Sequence, residues 1–145
     1  MIRGSCLCGQ VAYEADALSG PIGHCHCRTC QKAHSAAFAT TGRVMRDGFR
    51  WTRGDEVLRS FESTPGKLRW FCSACGSHLM AEWTHLDQVI LRIGSVDEGV
   101  EGEQPRAHIW VSHAAAWDPG PEDGLPRYAE GLRGFRTATE SHNHR

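Results

Sequence analysis

The sequence predicts a mainly β fold in one domain, and three observations support that prediction. The apolar runs are short, several of them alternate with polar residues, and turn dipeptides separate them. Of the 145 residues, 40% are hydrophobic and 23% are charged, which is near the average for globular domains. A domain of this size buries roughly 70% of the surface that its unfolded chain exposes, so we expect one hydrophobic core.

Eight short apolar runs are the predicted strands, in chain order. They cover residues 11–13, 36–40, 49–51, 57–61, 68–71, 79–83, 89–93 and 109–111. Asp47-Gly48 and Pro65-Gly66 are turn dipeptides between such runs, and one short helix is predicted at residues 28–33. The proline- and glycine-rich stretch 118–126 predicts an exposed loop.

The end of the chain has little apolar content, so the core is expected to end near Trp117. We assign residues 1–128 to the domain and residues 129–145 to a loosely ordered tail. His142 and His144 fall in that tail and are not expected to form a site.

The charge balance excludes some classes of partner. Sixteen Lys and Arg against seventeen Asp and Glu give a formal net charge of -1, with no basic block, so nucleic acid is not an expected partner.

The first residues contain no apolar signal segment, and no stretch approaches the roughly 18 apolar residues of a spanning helix. We therefore expect a cytoplasmic protein with no membrane contact. The sequence makes no prediction of the oligomeric state.

Cysteine is the most informative residue type in this chain. There are seven cysteines, an odd number, and in a reducing compartment metal ligation is a better explanation for them than disulfides. They form three groups with ligand spacing: Cys6 and Cys8; Cys25, Cys27 and Cys30; Cys72 and Cys75. Each C-x-C pair is expected to project from one face of a strand, whereas 72–75 is expected to form a zinc-knuckle turn followed by Gly76 at positive φ.

The ligand count restricts how these groups combine. Tetrahedral zinc takes four ligands, and joining the two pairs gives one closed site from Cys6, Cys8, Cys72 and Cys75. Cys25, Cys27 and Cys30 then form a second site with one free position. A histidine could close this second site, and His24, His26 and His34 are the candidates. His78, His85, His108 and His113 show no ligand pairing.

The open site favours thiol chemistry. Three thiolates give a zinc site a net charge of -1 and lower its Lewis acidity, so hydrolysis is the less natural use. A soft metal with a free position would hold a thiol as a thiolate and present it to a small carbonyl. A zinc nucleobase deaminase is disfavoured, because the sequence contains no H-x-E motif.

Over roughly residues 3–128 the chain resembles a known family, that of the glutathione-dependent formaldehyde-activating enzyme and centromere protein V. The segments that carry the resemblance are GSCLCG at 4–9, HCHCRTCQK at 24–32, FCSACGS at 71–77, HIWV at 108–111 and Trp117. It implies a zinc-bound β-tent fold and two zinc ions per chain. One ion is structural, on Cys6, Cys8, Cys72 and Cys75, and one is catalytic, on Cys25, Cys27 and Cys30. The activity named for the family is the condensation of glutathione with formaldehyde. Written in reverse, this is a carbon-sulfur lyase reaction.

Two functions follow from this resemblance. The first is an enzyme that adds a thiol such as glutathione to formaldehyde or a similar small carbonyl, with Arg28, Lys32 and Arg69 as candidates to hold its carboxylates. At Gln31 the family pattern often has Arg, so an anionic contact is not expected there. The alternative is a zinc-stabilised protein-binding module without catalysis.

Overall fold

The computed structural model describes residues 1–120 and 122–131, and this part of the chain is mainly β, as predicted. The described residues form eleven strands and one helix. They are β1 (Ile2–Ser5), β2 (Ala12–Ala15), β3 (Ile22–Cys25), α1 (Arg28–His34), β4 (Ala39–Met45), β5 (Phe49–Arg53), β6 (Leu58–Thr64), β7 (Lys67–Cys72), β8 (His78–Trp83), β9 (Gln88–Arg92), β10 (Val96–Glu98) and β11 (Pro105–Ile109).

The chain divides into two compact units. The first comprises Met1–Ser19 and Gly42–Glu103, and the second comprises Gly20–Thr41 and the described residues from Gln104 to 131. No helix in the described part is both long and apolar enough to cross a membrane.

The first unit contains two antiparallel arrays of strands. One has the order β10-β1-β2-β5, and in the other β6, β7, β8 and β9 lie side by side with β4 next to β9. The predicted turn at Pro65-Gly66 joins β6 to β7, with Gly66 at φ +86. The buried core of this unit includes Ile2, Val11, Tyr13, Val44, Leu79, Val89 and Leu91.

Close packing around the Tyr13 ring requires a glycine at the paired position on the neighbouring strand. Gly4 pairs with Tyr13 across β1 and β2, and a Cβ atom at Gly4 would lie 2.2 Å from the Tyr13 ring. The Tyr13 hydroxyl is 2.8 Å from that of Ser95. Only glycine leaves room for this ring. β1 and the Tyr13 ring can therefore pack closely at Gly4, two residues before Cys6.

A buried carboxylate joins β7, β8 and the short turn after β4 in the first unit. Glu82 accepts hydrogen bonds from Arg46 Nη1 at 2.7 Å and from Trp70 Nε1 at 2.8 Å. Arg46 Nη2 also donates to the Trp83 carbonyl at 3.0 Å. These charge-assisted bonds satisfy both oxygens of a group that would otherwise be costly to bury.

The second unit is built around β3. β11 pairs with β3 in parallel, with Ile109 opposite Cys25, and the start of β4 pairs with β3 antiparallel, with Ala39 opposite Cys25. Residues 126–130 run along residues 108–112, since His108 N donates to the Pro126 carbonyl and Tyr128 N donates to the His108 carbonyl. The boundary that the sequence suggests at residue 128 falls inside this run. His142 and His144 lie outside the described residues.

The predicted helix at residues 28–33 is found as α1, and the runs at 49–51 and 57–61 lie largely or wholly in strands. Three strands were missed: β1 and β3, which are four residues long and contain glycine, and β10, which is only three residues long. The strand predicted at 109–111 was placed too late in the chain: β11 covers Pro105–Ile109, and Trp110 adopts the left-handed conformation at φ +58 before a short 3₁₀ turn.

Candidate metal centres

The four-cysteine group lies in the first unit, on two turns. Cys6 and Cys8 occupy the turn after β1, which Gly9 closes at φ +80 by donating its N–H to the Cys6 carbonyl at 3.0 Å. Cys72 is the last residue of β7 and Cys75 lies in the turn that follows. Gly76, at φ +83, donates its N–H to the Cys72 carbonyl at 2.7 Å, which is the knuckle turn predicted from the sequence.

The spacing of these sulfurs fits a tetrahedral metal. The four Sγ atoms all lie within 4.8 Å of one another, with Cys6 Sγ 3.6 Å from Cys8 Sγ and Cys8 Sγ 3.8 Å from Cys72 Sγ. Four thiolates around zinc at about 2.3 Å require sulfurs about 3.8 Å apart. Cys6, Cys8, Cys72 and Cys75 could therefore hold one metal ion with no further ligand.

Local hydrogen bonds favour the thiolate form at part of this group. The Ser77 hydroxyl, 3.3 Å from Cys75 Sγ, and the Ser77 backbone lower the pKa of Cys75 to about 5. Burial opposes ionisation of Cys6, yet the N–H of Val11 and neighbouring sulfurs lower its pKa overall. Burial raises the pKa of Cys72 to about 11. Metal binding at this group must therefore displace a proton from Cys72.

The three-cysteine group lies in the second unit and, unlike the four-cysteine group, is local in sequence. Cys25 ends β3, Cys27 is the N-cap of α1, and Cys30 lies in its first turn. Cys27 Sγ accepts the Cys30 N–H at 3.3 Å and is 3.3 Å from the Thr29 hydroxyl. Their Sγ atoms lie within 4.8 Å of one another, so these three residues could hold a second metal ion.

All three thiols of this group are buried, with exposed fractions of 3% or less, among Ala39, Ala107, Ile109 and Trp110. Contacts with the thiols of Cys27 and Cys30, and then burial, raise the pKa of Cys25 well above its ordinary value. The Cys25 thiol lowers the pKa of Cys27, but Cys30 and burial outweigh it and the net shift is upward. Metal binding here must release protons, so the affinity should depend on pH.

The expectation that each C-x-C pair lies on one strand face was wrong. Cys6 lies outside β1, and only the first cysteine of the Cys25–Cys27 pair belongs to a strand. In both cases the chain turns between the two cysteines, and that turn, rather than the pleat of a strand, brings the sulfurs together.

The histidines near the three-cysteine group have other partners. His24 Nδ1 is 2.9 Å from the Thr40 hydroxyl, and His26 Nε2 is 2.8 Å from His108 Nδ1. Among the described residues, no histidine joins the three sulfurs within 4.8 Å, His34 included. The described part of the chain therefore leaves this group with three protein ligands.

A chain of hydrogen bonds through two buried histidines was not predicted from the sequence. His108 is fully buried, and its Nε2 atom is 2.8 Å from Asp123 Oδ2. His26, His108 and Asp123 thus form a continuous series of hydrogen bonds. Nothing in the spacing of residues 26, 108 and 123 indicates it, because parallel pairing of β3 and β11 brings the rings together.

The three candidate cations have different surroundings. Arg28 and Lys32 are exposed on α1, and Arg28 Nη1 donates to Gln31 Oε1 at 3.0 Å. Gln31 itself is buried and donates from Nε2 to the carbonyls of His26 and His113, at 2.8 and 2.7 Å. Arg69 lies in the first unit, is 3% exposed, and donates from Nε to Ser63 Oγ at 2.8 Å.

Comparisons with known proteins agree with this geometry. A model of the glutathione-dependent formaldehyde-activating enzyme family matches residues 1–113. A search of curated proteins finds no match. Among solved structures, a Rhodobacter sphaeroides protein is similar, with a TM-score of 0.59 and 21% sequence identity over 87% of this chain and 98% of the other; this likeness concerns the fold alone. The family model spans most of the chain and all seven cysteines, and on that evidence the chain belongs to the family of the glutathione-dependent formaldehyde-activating enzyme.

Proposed function

We propose that the protein is a zinc-dependent carbon-sulfur lyase-type enzyme that joins a thiol such as glutathione to formaldehyde or a similar small carbonyl. One observation carries the proposal: three cysteine sulfurs lie within 4.8 Å of one another, and the described part of the chain supplies no fourth ligand to them. A tetrahedral metal held by three protein ligands keeps one position for a substrate. Zinc there would supply a soft Lewis acid that accepts sulfur.

We further propose that the two centres have separate roles, with two zinc ions per chain. Cys6, Cys8, Cys72 and Cys75 form a complete ligand set and hold the structural ion. Cys25, Cys27 and Cys30 hold the catalytic ion. Their burial among Ile109 and Trp110 excludes bulk water from the sulfurs, which strengthens electrostatic interactions in the centre.

In the proposed reaction, the glutathione sulfur forms a bond to the formaldehyde carbon while the carbonyl π bond breaks. The thiol proton ends on the oxygen of the new hydroxyl group, so no oxidant or reductant is needed. Arg28 and Lys32 lie four residues apart on α1 and therefore on one helical face, where both can bind carboxylates of the thiol substrate. Arg69, the third candidate from the sequence, lies in the first unit, where it is buried and donates to Ser63 Oγ, so the substrate contact is assigned to Arg28 and Lys32.

The test is the condensation itself, followed by NMR of ¹³C-formaldehyde with glutathione in the presence and absence of the reduced, zinc-loaded protein. We expect the protein to raise the rate above the spontaneous reaction and Cys27→Ser to remove that increase. Arg28→Gln and Lys32→Gln should raise KM for glutathione while leaving the zinc content unchanged. A protein with two zinc ions and no effect on the rate would contradict the enzyme.

One observation favours the alternative, a zinc-stabilised binding module: the three thiols are as buried as core residues. Cobalt in place of zinc separates the two functions, because its visible spectrum reports its ligands. Addition of millimolar glutathione should change the spectrum of an open centre. An unchanged spectrum would support the module. We propose that this reaction takes place in the cytoplasm, where a reducing environment keeps cysteines as thiols.

A further inference from the structure

His26, His108 and Asp123 form a chain of hydrogen bonds that joins two buried rings to a carboxylate at the surface. His26 Nε2 is 2.8 Å from His108 Nδ1, and His108 Nε2 is 2.8 Å from Asp123 Oδ2. Both rings are buried, with exposed fractions of 1% and 0%, whereas the Asp123 side chain is 32% exposed. The series therefore runs from a solvent-accessible carboxylate to the residue between Cys25 and Cys27.

The hydrogen-bond partners assign the tautomers of both rings. An ionised carboxylate only accepts hydrogen bonds, so His108 carries its proton on Nε2 and donates it to Asp123. The lone pair on His108 Nδ1 then accepts from His26 Nε2–H. In neutral rings this order leaves the His26 proton on Nε2 and a lone pair on Nδ1. One carboxylate thus determines the proton positions on two rings.

Two further hydrogen bonds fix the backbone of His26. Its N–H donates to the Ile109 carbonyl at 3.0 Å, and its carbonyl accepts from Gln31 Nε2 at 2.8 Å. With the ring held by His108, the backbone and the side chain of this residue are all constrained. The adjacent Cys25 and Cys27 then have little backbone freedom to lose when their thiolates converge on a metal ion.

We propose that Asp123 is a positioning residue for the three-cysteine centre, which it orients through the rings of His108 and His26. The inference rests on the metal-binding part of the proposed function and not on the identity of the substrate. Groups that orient metal ligands from outside the ligand set commonly change metal affinity by about 10–100-fold when they are removed. Because Asp123 acts through two rings, we expect a change of about tenfold, at the lower end of that range.

The first measurement is the tautomer of each ring, from long-range ¹H–¹⁵N spectra of the full chain loaded with zinc. The unmodified protein should show both rings as single Nε2–H tautomers. In Asp123→Asn, the amide can either donate to or accept from His108 Nε2, so we expect mixed tautomers at both rings. Glu122→Gln is the matched control, since it removes the same charge from the neighbouring exposed residue and should leave both tautomers unchanged.

The second measurement is the zinc affinity of each centre, by competition with a chelator and without substrate. Asp123→Asn should weaken the three-cysteine centre about tenfold and leave the four-cysteine centre unchanged, whereas Asp123→Glu should recover part of the loss. Mixed tautomers with unchanged affinity, or weaker affinity with unchanged tautomers, would each overturn the proposal. Because substrate is absent, a protein that fails the condensation assay can still pass this test, so the two proposals fail separately.

Discussion

The two cysteine groups use the same ligand atom but differ in how much chain they join. In the four-cysteine group, the sulfurs of Cys8 and Cys72 lie 3.8 Å apart although 64 positions separate them in sequence. The three-cysteine group spans only residues 25–30. Cys8 is exposed, whereas all three members of the second group are buried. A metal ion in the first group cross-links distant segments, and one in the second organises a single turn.

This difference has an energetic consequence. Closing a loop of 64 residues costs roughly 4 kcal/mol of chain entropy on the polymer estimate, against less than about 2 kcal/mol for six residues. A metal ion that keeps the longer loop closed therefore contributes more to folding. Closing the shorter loop costs little chain entropy, so its metal ion is not required for that purpose and is available for chemistry.

The largest expected effect is the contrast between Cys72→Ser and Cys27→Ser. Structural zinc supplies about 10–16 kcal/mol of apparent binding energy in small domains, comparable with or larger than a whole stability of about 5–15 kcal/mol. Cys72→Ser should give insoluble or molten protein, whereas Cys27→Ser should stay folded with about one zinc ion instead of two. Circular dichroism and metal analysis on both variants check this. If Cys27→Ser unfolds as readily, both ions are structural.

Acidification should separate the centres by the order in which they lose metal. In the three-cysteine group the neighbouring thiols and burial raise the pKa of Cys25 well above its ordinary value, and the pKa of Cys27 is also raised. In the four-cysteine group burial raises the pKa of Cys72 to about 11, but the pKa of Cys6 is lowered and Ser77 lowers that of Cys75 to about 5. A thiol with a raised pKa holds its proton to higher pH, so protons displace metal from it earlier as the pH falls. A zinc-sensitive dye should record two release steps, with the three-cysteine centre emptying at the higher pH.

Cys27→Ser assigns the steps, because it should remove the release at higher pH and leave the other. Release in one step from the unmodified protein, or loss of the lower step in the variant, would contradict the stated order.

The cysteine grouping was predictable because ligand spacing is local and because the count of seven restricts how the groups combine. The helix at 28–33 was also predictable, because it too is formed by one local stretch of sequence. By contrast, β1 and β3 were not found, since four residues with a glycine give little periodicity, and these strands lead directly into Cys6 and Cys25. The contact of His108 with His26 depends on the parallel pairing of β3 and β11, which no local pattern encodes.

Gln31 also shows the limit of a sequence pattern. The departure from Arg predicts only that an anion contact is lost, but in the structure this side chain donates to two backbone carbonyls. A neutral amide suits that task, because Gln31 is buried and a guanidinium there would need a counter-charge.

Gln31→Leu is therefore expected to have an effect of intermediate size on stability. The variant removes contacts only around the three-cysteine group and so tests the difference between the two groups. The variant leaves the carbonyls of His26 and His113 without this donor and should destabilise the protein by about 2 kcal/mol. Gln88→Leu is the control, because its exposed hydrogen bond to Ser19 should contribute less than about 0.5 kcal/mol. Urea denaturation measures both, and equal effects would contradict the role given to Gln31.

The smallest expected effect tests the turn of the four-cysteine centre. Gly76 has φ +83, and a Cβ atom added there would meet no other atom within 4 Å, so Gly76→Ala adds backbone strain and no clash. The cost should be about 1–2 kcal/mol, with zinc retained. Gly94 is equally open and lacks a positive φ, so Gly94→Ala should change stability by less than about 0.5 kcal/mol. Equal denaturation midpoints for the two variants would mean that the turn after Cys75 relaxes without its glycine, and that the metal ligands alone impose its shape.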